Sequence, residues 1–141
     1  MDALAGVLAA FAILGLGILT RQADALPFYS TVLIVIALVY VLFAVMAGRP
    51  STIVAESAIA AAFVGVAIIG ARGSHPRAAG LLIAAGLILH GAYDLVHDRL
   101  IANAVVPGWW PVFCAVVDVV LGGWLGYRSL VNPLNMSPSA A

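Results

Sequence analysis

The sequence predicts an all-α integral membrane protein, a compact bundle of five transmembrane helices forming one domain over residues 1–131. Three observations predict it. Hydrophobic residues make up 65% of the 141-residue chain and the mean hydropathy is +1.16, whereas a soluble domain is about half apolar. Only 9% of residues are charged, against roughly a quarter in soluble domains. The apolar residues also fall into five runs, each close to the ~20 residues that cross a hydrocarbon core of about 30 Å.

The first run, 3–20, ends at the polar stretch RQAD. A cleaved signal peptide opens with positive charge, and the only early charge is Asp2, so this run reads as a retained helix. The second run, 28–47, stops at GRPS, and the third, 52–71, at RGSHPR. The fourth covers 78–98 and the fifth 109–127. The connections carry Arg, Gly, Ser and Pro, as turns do. Residues 132–141, NPLNMSPSAA, read as a polar C-terminal tail. Small residues recur four apart at Ala61/Gly65, Gly80/Ala84 and Gly122/Gly126, a spacing that lets helices approach closely in lipid.

Alternation of the five runs sorts the arginines. Arg21, Arg72, Arg77 and Arg128 fall on one side, Arg49 and Arg99 on the other. The excess marks the cytoplasmic face. The expected location is a bacterial cytoplasmic (inner) membrane, with the N-terminus outside and the C-terminus inside. The formal net charge is zero, which offers nothing to nucleic acid and no polybasic lipid anchor. All basic residues are arginine, which excludes Schiff-base chemistry on a lysine. Cys114 is the one cysteine, which excludes an intrachain disulfide and a C-x-x-C redox pair.

The informative stretch is LILHGAYDLVHDRL, 87–100. Carboxylates and imidazoles deep in an apolar helix are costly, so they face the bundle interior and have a role there. His90, Asp94 and His97 fall on one helical stripe. The direct pairs on that stripe are His90 with Asp94 and Asp94 with His97, four and three residues apart. Glu56 near the start of the third run and Asp118 within the fifth belong to the same half of the bundle, the outer half. Asp98 precedes Arg99, and the two read as an interfacial pair. His75 reads as loop.

Two imidazoles with carboxylates are a donor set for Zn²⁺ or another borderline divalent ion. His90, Asp94, His97 and Asp118 are therefore the expected metal ligands, and Glu56 the expected catalytic acid or base beside a metal-bound water. Cys114, one turn before Asp118, is a further candidate donor, as are Tyr93 and Asp98. Tyr40 and Tyr93 lie mid-run, placed to donate hydrogen bonds into the site. In chemistry alone the set is similar to that of intramembrane zinc hydrolases such as alkaline ceramidases and adiponectin receptors. Those are larger bundles that hold zinc mainly through histidines. The resulting expectation is a metal-dependent hydrolase of a lipid or other amphipathic substrate. The alternative is a proton- or ion-translocating or accessory protein whose cluster is a polar relay or packing core. Membrane lipid is the expected partner. The small chain leaves little room for a substrate cavity, so a homo-oligomer is expected.

Overall fold

The computed structural model describes residues 1–131, so the expected polar tail lies outside the described residues. Five helices follow in order: α1 Asp2–Leu19, α2 Leu26–Ala47, α3 Pro50–Arg72, α4 Pro76–Leu100 and α5 Trp110–Val131. No strand forms among the described residues. Every helix is long and apolar enough to cross a membrane.

The helices outrun the apolar segments at identifiable places. α3 and α4 begin on Pro50 and Pro76, because the first helical position needs no N–H and suits the fixed φ of proline. α5 continues past 127 through Arg128 and Ser129. The Ser129 hydroxyl donates to the Leu125 carbonyl at 2.7 Å, and Arg128 pairs with Asp24 in the α1–α2 connection while lying over the Trp124 ring. Both polar side chains therefore have partners without breaking the helix.

α4 is the most enclosed helix, lying between α3 and α5 and also touching α2. α2 pairs with α3, and α1 leans on α5. The apolar core runs through Leu33, Ile83, Leu87, Leu121 and Leu125. Ala84 of one small-residue pair faces the Gly122/Gly126 pair across α4 and α5. At Gly122 an added Cβ would sit 2.9 Å from the Ala84 carbonyl oxygen, and at Gly126 it would sit 3.7 Å from the Ala84 side chain. The third pair does not mark an interface, since a Cβ on Gly65 would meet nothing within 4 Å. Four-residue spacing alone does not say which face of a helix is covered.

Outside the core the bundle is apolar on its surface. Leu4, Leu8, Leu42, Val54, Ile69 and Leu89 are all largely exposed. A continuous apolar exterior of this kind is foreign to soluble monomers.

Candidate metal centre

Three helices place the polar side chains at one end of the bundle, where α2 and α4 end and α3 and α5 begin. His90, Asp94 and His97 descend α4, Glu56 comes from α3 and Asp118 from α5, and each is at most 1% exposed. At 1.5 Å per residue, His90 lies about 15 Å and Asp118 about 12 Å along its helix from that end. Gly91 allows α5 to come close at this level. A Cβ there would lie 3.1 Å from the Ala115 carbonyl oxygen and 3.2 Å from Asp118 Cβ.

The residues divide into two groups. In the deeper one, His90 Nδ1 lies 2.7 Å from Asp118 Oδ2 and 3.6 Å from Asp94 Oδ2. One donor atom each from His90, Asp94 and Asp118 fall within 4.8 Å of one another. With Asp118 ionised, His90 Nδ1–H is the donor in this contact. Neither oxygen of Asp94, nor Asp118 Oδ1, has a hydrogen-bond partner among the described residues. The Tyr40 hydroxyl is also buried and unpartnered, although it neighbours Asp94. Cys114 is buried beside both aspartates.

The shallower group is satisfied. His97 Nε2 lies 2.7 Å from Glu56 Oε1, and the Tyr93 hydroxyl donates to Glu56 Oε2 at 2.8 Å. His97 Nδ1 lies 3.2 Å from Asp98 Oδ1. Asp98 thus turns to His97 rather than to Arg99, while its own side chain is 73% exposed. Tyr40 separates the groups: its ring stacks on His97 with centroids 4.1 Å apart and an interplanar angle of 22°. Phe63 closes the other side, edge-on to His90 at 4.8 Å.

Of the four expected ligands, His90, Asp94 and Asp118 are brought together, whereas His97 is engaged by Glu56. Glu56, expected beside the metal, is held by His97 and Tyr93. The stacking of Tyr40 and the close approach at Gly91 went unread in the sequence. A glycine directly after His90 in the polar stripe was the available signal for the second.

The deeper group fits a cation. Among the described residues no arginine is buried. Three buried carboxyl groups, on Glu56, Asp94 and Asp118, therefore face only two buried imidazoles. Buried polar atoms without partners are rare and call for a missing partner, and buried charge is tolerated when it is paired or coordinates a metal. Asp94 meets that condition through an ion or a proton placed between it, His90 and Asp118, or through the Tyr40 hydroxyl beside it. His75 is exposed at the start of α4, beside the Ser74 hydroxyl, and takes no part.

No family model, curated protein or solved structure matches the chain.

Proposed function

We infer that the protein is an integral membrane protein that binds a divalent transition metal, zinc above others, at His90, Asp94 and Asp118. Asp94 carries the reading: a carboxylate with both oxygens buried and unpartnered, within reach of an imidazole nitrogen and a second carboxylate. Nitrogen and carboxylate oxygen suit zinc, and two ionised aspartates neutralise a dication. Zinc held by three protein groups keeps a position for water or substrate; it supplies Lewis acidity and an acidified water when bound. Hydrolysis of a lipid or other amphipathic molecule is therefore the reaction class to assay.

The apolar exterior and the length of the helices support a lipid environment. The four arginines at the end opposite the site, against two at the site end, support a cytoplasmic C-terminus and an outward-facing site.

Metal that binds only the folded chain raises its melting temperature, by the equivalent of about 2.7 kcal/mol at a hundred times Kd. The test strips the purified protein with chelator and returns zinc while thermal unfolding is followed, in wild type and in Asp94→Asn. Zinc should raise the wild-type melting temperature and leave that of Asp94→Asn unchanged. Equal wild-type curves with and without zinc would defeat the reading and leave the cluster as a hydrogen-bonded core.

A further inference from the structure

The shallower group is a continuous hydrogen-bonded string with one end in water. Both nitrogens of His97 and both oxygens of Glu56 are engaged, from Asp98 Oδ1 through the imidazole to Glu56 and on to the Tyr93 hydroxyl. The outer end opens on a cavity of about 440 Å³ lined by Arg49, Asp98 and residues 101–106 of the α4–α5 connection. The inner end is dry, since Glu56 is 1% and His97 0% exposed. A helix fastener needs one such bond, not an imidazole bridging an exposed carboxylate to a buried one.

We propose that Asp98, His97 and Glu56 form a proton-exchange string through which the buried Glu56 takes up and releases protons at the outer cavity. A proton leaving Glu56 Oε1 is taken by His97 Nε2, the proton on Nδ1 passes to Asp98 Oδ1, and Asp98 hands it to water. The reverse movement refills Glu56 and restores the starting tautomer of His97. The groups facing the string are Tyr40 from α2, Glu56 from α3, Tyr93 and Asp98 from α4, and Arg49 at the cavity. Of the charged groups of α5, Asp118 faces Asp94 and His90, and Arg128 pairs with Asp24 at the other end of the bundle. The exchange does not rest on the metal reading.

Glu56 is the only glutamate in the chain, so carbon-13 glutamate incorporated by cell-free synthesis marks its carboxyl band in the infrared. The experiment follows that band after a rapid pH jump, on the full chain in lipid nanodiscs without metal. His97→Phe keeps an aromatic ring against Tyr40 and cuts the string in the middle. Asp98→Ala removes an exposed side chain and carries the test if His97→Phe does not fold. Both should slow the Glu56 response by about tenfold or more, as loss of a positioned proton carrier does. Added formate should restore the rate in Asp98→Ala, which a merely structural role for Asp98 would not allow. A response at the wild-type rate in Asp98→Ala, or in a folded His97→Phe, overturns the string. Zinc-induced stabilisation is measured separately: its absence removes the metal reading and leaves the string standing.

Discussion

His90 Nδ1 is shared by two carboxylates, 2.7 Å from Asp118 and 3.6 Å from Asp94. One N–H cannot satisfy both, so the shorter contact takes it and Asp94 is left without a donor. This asymmetry is the observation on which the metal reading rests. Asp118→Asn keeps an oxygen to accept from His90 but removes a charge. It should change metal-free stability by no more than about 1 kcal/mol and abolish the zinc-induced rise in melting temperature. Asp118→Leu strands the His90 donor and should cost about 1–3 kcal/mol. Melting curves of both variants with and without zinc check this. A zinc response surviving in Asp118→Asn would remove Asp118 from the ligand set.

The spacing of α4 and α5 sets the geometry of the group. Gly91→Ala would press a methyl against the Ala115 carbonyl and Asp118 Cβ, at 3.1 and 3.2 Å. Overpacking of this kind typically costs about 1–3 kcal/mol, and moving α5 outward carries Asp118 away from His90. Loss of stability and weaker zinc binding are both expected. Gly65→Ala, where a methyl meets nothing within 4 Å, should keep both. Isothermal titration with zinc and thermal melts on the two variants decide the matter.

The five helices were legible because each run is long and apolar enough to cross a membrane, and the composition is far more apolar than that of a soluble domain. Their ends were less legible. Pro50 and Pro76 punctuate an apolar reading, yet the first helical turn accepts them. The polar stripe on α4 was legible from residue spacing alone, including the His90–Asp94 pair. Its division into two groups was not. Depth along the helices puts Glu56, His97, Asp94 and Asp118 in one half of the bundle. Which of them meet depends on the rotation of α3 and α5 about their own axes, and that is decided by packing of α5 at Gly91 and Gly122 and of α3 where Gly86 meets Val66 and Gly70 meets Ile83. No periodicity in a single sequence carries that rotation.

Zinc competes with protons for imidazole and carboxylate. Affinity should therefore fall as the pH falls, by about tenfold per pH unit for each proton displaced. Zinc titrations between about pH 8 and about pH 5.5 span the range in which histidine ligands commonly lose metal to protons. The zinc-induced rise in melting temperature should shrink across that range in wild type. A response that does not change with pH would rule out an imidazole ligand and with it His90.

The lone cysteine makes orientation directly testable. Cys114 is buried, and Cys114→Ala gives a background without thiols on which single reporter cysteines can be placed. Ser74, in the α3–α4 connection, is exposed at the end holding Arg72 and Arg77. Ala104, in the α4–α5 connection, is exposed at the end holding Arg49 and Arg99. Arginine in short loops favours the cytoplasmic side, so Ala104→Cys should react with an impermeant maleimide added to intact cells. Ser74→Cys should react only after the membrane is opened. Labelling in the opposite sense would turn the Asp98 cavity and the His90, Asp94 and Asp118 end of the bundle to the cytoplasm.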